Sequence, residues 1–397
     1  MNRKLKRTVL TAAILTVCLT ACASPLREET QENGEAQTMD ETQMAEYAEA
    51  MKEEYPTRQF YLEALSEGEQ VWYRDIYLAL SGMEEEYPLH TGFAGEPGEE
   101  GIERVFYAVM NDHPELFYVS GYTYTKYTLA DKLLKISFSG TYTMDTYERV
   151  LKEQEIERAA EECLQALPTE AADYEKVKYV YEYVILHTDY RKDAPDNQNI
   201  CSCLLSGESV CQGYAKTVQF LLSRAGINST LVSGTVYGGQ AHAFNLVEVD
   251  GQCYYVDATW GDPSYQSEEK EEGTGSLPQI NYDYLCVPAA MLEKTHTVDT
   301  SYALPECTSM QANYYVMEGA YFTEYHEEAV EDFFEKAQDA GKTTITFMCS
   351  DDTVYDTFVT ELVTNQEIFR YFYTAGGKIA YTEDTAGHSL TFWLVNE

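Results

Sequence analysis

The chain has 397 residues and a formal net charge of −40, with 27 Lys and Arg against 67 Asp and Glu. That length accommodates two or three domains and a sizeable core. A surface this acidic repels nucleic acid and anionic lipid, so no nucleic-acid partner is expected, and basic or neutral partners are favoured.

Arg3, Lys4, Lys6 and Arg7 precede an apolar stretch from Val9 to Leu19. The stretch is too short for a stop-transfer helix and reads as the h-region of a signal peptide. Leu19-Thr20-Ala21-Cys22 closes it. This resembles a bacterial lipoprotein signal, in which cleavage before the cysteine leaves Cys22 to carry lipid. An ordinary secretory signal cut after a small residue is the competing reading. Residues 1–22 are thus expected to be a lipoprotein signal peptide. The protein is expected at the cell membrane, lipid-anchored through Cys22 and exposed outside the cytoplasm. The four positive and no negative charges of residues 1–22 would leave with the leader, taking the net charge from −40 to about −44. Residues 23–65, rich in Glu, Gln, Thr and Ala, read as an acidic tether, helical in part near Met44–Tyr55.

Residues 66–165 read as an N-terminal α/β domain. Tyr73, Ile76, Tyr77 and Leu80 recur at helical spacing. Asp112-His113-Pro114-Glu115 is a turn into an apolar run, and Tyr122/Tyr124 and Ile136/Phe138 alternate as in two half-buried strands. Ile156, Ala160, Cys163, Leu164 and Leu167 form a helical stripe. Residues 166–300 read as the core, opening with a helix that Asp173 can cap and whose stripe is Val177, Val180, Tyr181 and Val184. Residues 305–397 read as a small α+β domain: strand Tyr314–Met317, helix Glu327–Ala337, strand Thr343–Cys349, helix Val354–Val363 and two last strands.

Three short segments of the core carry chemistry. They are Val210-Cys211-Gln212-Gly213-Tyr214-Ala215, Ala241-His242-Ala243-Phe244-Asn245 and Val256-Asp257-Ala258-Thr259-Trp260. Ser209 and Gln212 fit a capping box, which puts Cys211 in the first turn of a helix. The positive end of the helix stabilises thiolate there and offers a backbone N–H to an oxyanion. Asp250-Gly251 is a strong signal for a two-residue hairpin turn. With Val249 opposite Gln252, His242 and Asp257 share one face as diagonal neighbours, roughly 8 Å apart at the backbone. Alone, each residue is ordinarily core, capping or solvated. Together they make a candidate triad: a thiol, a base to ionise it and a carboxylate to orient the base.

These segments, with Asp262, Tyr174-Glu175-Lys176-Val177 and Thr188-Asp189-Tyr190, resemble the core of the transglutaminase-like superfamily. The resemblance implies a papain-like α/β core and an α+β protein overall. It makes Cys211 the nucleophile, His242 the general base and acid, and Asp257 the group orienting His242. Phe244 stands where the family usually has Trp. Cys201-Ser202-Cys203-Leu204-Leu205 replaces a stretch often carrying Tyr-Gly, leaving Ser202 and Gln198 as candidates for a second oxyanion donor. Gln212, Tyr214, Phe244 and Trp260 are expected at the substrate cleft. The family includes cross-linkers, deamidases, thiol peptidases and inactive members. The expected activity is acyl transfer or hydrolysis at protein or peptide amides, on extracellular or envelope proteins, with no metal or organic cofactor. The alternative is a catalytically silent interaction scaffold keeping the fold.

Of ten cysteines, Cys18 and Cys22 belong to the leader and anchor, leaving Cys163, Cys201, Cys203, Cys211, Cys253, Cys286, Cys307 and Cys349. Export permits disulfides, but the spacings are irregular and Cys201-Ser202-Cys203 is too close for a zinc knuckle. If Cys211 is free, at least one more is unpaired, and most read as buried fillers. His113 and His187 read as structural or surface residues. Tyr237-Gly238-Gly239-Gln240 reads as a connection or lip beside the cleft.

Overall fold

The computed structural model describes residues 6–13, 57–129, 132–263, 279–372 and 378–395. Cys22, the helix expected near Met44–Tyr55 and most of the expected tether lie outside them. Three four-stranded sheets organise the described residues, and the fold is α+β. No helix among the described residues is long and apolar enough to cross a membrane.

The first sheet has strand order β1-β3-β4-β2, with β1 Lys6–Ala13, β2 Tyr87–Leu89, β3 Val119–Leu129 and β4 Lys132–Tyr142. Tyr122, Tyr124, Ile136 and Phe138 all turn to the buried side, and Tyr122 stacks on Phe138 at 5.4 Å. The alternation of the two strands is thus the packing of one sheet face. β1 lies within the segment read as a leader. In the full chain its residues pair with the edge of β3, Leu10 opposite Tyr124. A run with Thr and Val suits a strand as well as a leader, and an open sheet edge supplies the partner.

α1 (Phe60–Glu63), α2 (Glu67–Gly82) and α3 (Glu99–Asp112) lie in the same region. Ser66 and Glu69 form a capping box at the start of α2, and Trp72, Tyr73, Ile76 and Leu80 are fully buried. The tether expected over 23–65 ends earlier than the sequence suggests. Phe60, Tyr61, Leu62 and Leu65 are buried, and Asp112 accepts hydrogen bonds from the backbone N–H groups of Tyr61 (3.2 Å) and Leu62 (2.9 Å). The apolar triplet docks because a carboxylate on α3 satisfies the first turn of α1.

α4 (Thr146–Leu164) and α5 (Asp173–His187) lead into the middle of the molecule. Asp173 is the first helical residue of α5, not its cap. Ala172 holds the cap position, and its N–H donates to Glu175 Oε2 at 2.9 Å. The short parallel pair β5 (Asp189–Tyr190) and β6 (Glu208–Ser209) precedes α6 (Cys211–Arg224). From Gly213 to Leu222 every residue of α6 is buried, as expected of a helix enclosed on all sides. The second sheet has order β10-β7-β8-β9, with β7 Ser229–Val236, β8 Gln240–Val249, β9 Gln252–Val256 and β10 His296–Val298. Asp250 and Gly251 have φ of 50° and 74°, the left-handed pair a type I′ turn requires. Val249 sits opposite Gln252 and Asn245 opposite Val256, the register read from the sequence.

Beyond this sheet come α7 (Ala289–Leu292), α8 (Tyr314–Met317), β11 (Tyr321–Phe322), α9 (Glu327–Asp339), β12 (Thr344–Cys349), α10 (Asp352–Phe358), α11 (Ile368–Tyr371), β13 (Lys378–Asp384) and β14 (Ser389–Val395). The third sheet runs β11-β12-β14-β13. Tyr314–Met317, expected as a strand, is a helical turn. Asn313 caps it through the Tyr315 N–H, and Tyr314 stacks on Tyr282 at 3.9 Å, so tertiary stacking overrides a β-prone sequence. The half-buried Asp283 carboxylate ties this region to the core, accepting from the hydroxyls of Tyr315 (2.5 Å) and Ser389 (3.2 Å).

Asp112→Ala is expected to leave two backbone N–H groups of α1 without their acceptor. A loss of about 1–3 kcal/mol in urea unfolding is expected, with faster proteolysis between residues 58 and 65 as the local signature.

Candidate active site

α6 begins at Cys211 because Val210 is still extended, with φ −119° and ψ 177°. The capping box expected from Ser209 and Gln212 does not form. Ser209 Oγ instead lies 2.6 Å from Ser202 Oγ and donates to Asn197 O at 3.0 Å. The cause is close packing at Gly213, where a Cβ would lie 2.0 Å from Ser209 Oγ and 2.8 Å from Asn197 O. The first helical backbone bond runs from Tyr214 N to Val210 O at 3.1 Å. The N–H groups of Cys211, Gln212 and Gly213 therefore stand ahead of the ladder, at the positive end of the helix. Cys211 is half-buried and packs beside Ala215, Leu231 and Ala243.

β8 delivers His242 and the end of β9 delivers Asp257, because the hairpin register puts both on one face. His242 Nε2 lies 2.6 Å from Asp257 Oδ2, and both residues are buried. Asp257 Oδ1 accepts the backbone N–H groups of Thr259 (2.9 Å) and Trp260 (3.1 Å). With Nε2 committed to Asp257, His242 has Nδ1 left for Cys211, whose thiol acts on the imidazole. Burial disfavours the imidazolium, but the Asp257 carboxylate and the Cys211 thiol outweigh it and raise His242 to about 10. Burial likewise opposes ionisation of Asp257, and its imidazole partners outweigh that, holding the carboxyl well below the usual range.

Of the expected cleft residues, Trp260 is partly exposed, and its ring lies against His242 and against Tyr237, which is 65 % exposed. Tyr237–Gly239 forms a short 3-10 turn whose Gly238 and Gly239 have φ of 79° and 75°. Phe244 is buried beneath His242, with ring centroids 6.2 Å apart. Gln212 is half-buried at the second position of α6. Three expectations fail: Phe244, 1 % exposed, packs under the imidazole and does not line the cleft. Tyr214 does not wall the cleft. It is fully buried, its hydroxyl 2.7 Å from Thr188 O and 3.0 Å from Asp262 Oδ2, because its place on α6 turns it inward. Ser202 is not an oxyanion donor. It is fully buried, and its hydroxyl is engaged by Asn199 O (2.8 Å) and Ser209. The other candidate, Gln198, is half-buried in the loop before α6. His113 is buried between Tyr73 Oη (3.0 Å) and Glu115 Oε1 (2.7 Å), and His187 is exposed with Nδ1 2.8 Å from Tyr183 O. The eight described cysteines are free thiols; Cys211 and Cys253 are half-buried and the other six buried.

One residue of the site has no counterpart in the sequence reading. His296, on β10, is fully buried with Nε2 3.0 Å from Asp257 Oδ2. Nothing local marks it: it begins a three-residue strand, and its partner lies 39 positions away. His242, Asp257 and His296 are metal-ligating residue types whose atoms lie within 4.8 Å of one another. The contacts of 2.6 and 3.0 Å are hydrogen bonds, shorter than the ~3.3 Å separating ligands in a tetrahedral zinc site. Their arrangement suits proton sharing.

Residues 161–260 match the transglutaminase-like superfamily, and this segment is a transglutaminase-like core. No curated protein matches the chain. Among solved structures, a TGase is 14 % identical with a TM-score of 0.27, covering 37 % of this chain and 46 % of its own. A proposed cysteine protease from Cytophaga hutchinsonii is 12 % identical, TM-score 0.24, covering 36 % and 58 %. The periplasmic domain of TgpA from Pseudomonas aeruginosa is 15 % identical, TM-score 0.22, covering 35 % and 72 %. The chain thus spans about half the length of the first two.

Asp257→Asn tests the electrostatics. His242 is raised from ~6.5 to about 10, so its stabilisation is complete below pH ~6.5 and lost as pH climbs through 10. Asp257 is depressed, so its contribution is present above pH ~3.9 and lost as pH falls further. Urea midpoints of the wild type are expected to be highest between these limits and to decline toward pH 10. Asp257→Asn is expected to flatten that dependence, since only the Cys211 thiol then opposes burial at His242.

Proposed function

We propose that this transglutaminase-like core is a cysteine-dependent acyltransferase or amide hydrolase. The observation that carries the reading is a half-buried thiol at the first position of α6, beside a buried imidazole whose far nitrogen is held by a buried carboxylate. Thiol, base and orienting group stand in the order nucleophilic catalysis needs.

In the proposed reaction Cys211 Sγ attacks the carbonyl carbon of an amide while its proton passes to His242 Nδ1. The carbonyl oxygen takes up the negative charge, facing the N–H groups at the start of α6. The C–N bond breaks, His242 returns the proton to the departing amine, and a thioester remains on Cys211. An amine acceptor then gives a new amide and water gives a carboxylic acid. In either case His242 removes a proton from the incoming group and the thiol leaves. Asp257 holds the imidazole ring in one orientation throughout and steadies its charged form. Trp260 and Tyr237 border the approach to His242. Their position favours a donor with an apolar or aromatic flank.

The proposed setting is the cell envelope, with Cys22 carrying lipid and the substrates being envelope or extracellular proteins or peptides. The leader segment supports this: a basic start, a short apolar run and the Leu19-Thr20-Ala21-Cys22 box.

Incubation with glutamine-bearing peptides and a labelled primary amine, followed by mass spectrometry, is expected to detect either amine incorporation or hydrolysis. Cys211→Ala and His242→Ala are each expected to lower it by at least ~10². A wild type that forms no thioester and turns over no amide, with Cys211 unreactive to alkylation, would instead fit the silent scaffold.

A further inference from the structure

Asp257 Oδ2 lies between two imidazole nitrogens, His242 Nε2 at 2.6 Å and His296 Nε2 at 3.0 Å. An ionised carboxylate only accepts, so both nitrogens donate to the same oxygen. His296 Nδ1 and Leu292 O both face the Thr295 hydroxyl, at 2.7 and 3.2 Å, and its single hydrogen serves one of them at a time. The His296 ring is enclosed by Trp260 (centroids 4.7 Å apart), His242 (5.4 Å), Phe244 (5.6 Å) and Tyr284 (5.6 Å). Its side chain has no exposed surface, so it does not touch substrate. It also comes from outside the segment matched by the superfamily, which ends at residue 260.

We propose that His296 is a positioning residue of the Cys211–His242–Asp257 site: it clamps the carboxylate oxygen that His242 uses and, by sharing that oxygen, limits how firmly Asp257 retains the proton on His242. The inference rests on the reading of His242 as the general base. A carboxylate with one partner directs its charge to that partner. A second donor on the same oxygen draws part of the charge away and weakens the first bond. General acid–base catalysis works best when the base can also give its proton back near the working pH. His296 moves His242 toward that condition, while the two backbone bonds on Oδ1 keep the carboxylate from turning. The other titratable groups facing the cluster are Cys211 on α6, Tyr284 and, from α5, Tyr181. Burial holds both tyrosines protonated, so neither supplies charge.

The test compares His296→Gln, which keeps a side-chain N–H donor, with His296→Phe, which keeps a ring and removes it. The readout is the NMR titration of the His242 imidazole in the full chain, with the pH dependence of Cys211 alkylation alongside. His296→Phe is expected to raise the His242 midpoint by roughly one unit, whereas His296→Gln stays close to wild type. An unchanged midpoint in His296→Phe would overturn the proposal, as would a folded His296→Gln that shifts just as far. Should His296→Phe fail to fold, ¹⁵N spectra of the wild type decide. His296 is expected to be protonated on Nε2, and a tautomer protonated on Nδ1 alone would sink the idea. None of these readouts needs turnover. Failure of the enzymatic reading shows separately, as a wild type without Cys211-dependent amide chemistry.

Discussion

A buried negative charge governs the centre of this molecule. Asp257 is 1 % exposed, and a carboxylate that dry is tolerated only when its lone pairs are occupied. Four donors occupy them: two backbone N–H groups of its own turn and two imidazoles from separate strands. The turn after β9, the end of β8 and the edge strand β10 are thereby fixed relative to one another. Removing one partner of such a buried pair ordinarily costs about 3–5 kcal/mol, so the same contacts that orient His242 also hold the sheet together.

The rest of the fold serves that arrangement from below. α6 is enclosed from Gly213 to Leu222, and only its first turn reaches the cleft. The serine pair Ser202–Ser209 presses against Gly213 and fixes where the helix begins. Tyr214, one residue later, anchors the same turn to Thr188 and Asp262. The thiol is thus located by residues that never meet a substrate.

How much of this was legible in the sequence depended on the range of the interaction. The Asp250-Gly251 turn fixes the β8–β9 register by local backbone preference, so the meeting of His242 with Asp257 followed from counting along two strands. The stripes of α2, α4 and α5 were likewise readable, because burial on one side leaves a period in the sequence. What escaped was set by distant partners. Ser209 resembled a cap, but a loop residue competes for its hydroxyl. Tyr214 resembled a cleft wall, because nothing local says which way a helix faces. Tyr314–Met317 reads as a strand until Tyr282 supplies a stacking partner. The docking of Phe60 to Leu62 depends on a carboxylate some fifty positions later. His296 is the extreme case: an isolated histidine in a three-residue strand, meaningful only because a sheet edge carries it to Asp257.

The distribution of sulfur across the structure has a practical corollary. Six of the eight described thiols are buried, and burial pushes Cys163, Cys201 and Cys349 up to about 12. They sit in different places: Cys163 on α4, Cys201 and Cys203 in the helical turn before β6, Cys286 and Cys307 in two separate core clusters, and Cys349 at the end of β12. A thiol reagent therefore meets each of them only when its own neighbourhood opens. The chain carries a set of built-in gauges, one per region. Which cysteine becomes labelled, and how fast, maps the order in which the parts of the molecule come apart.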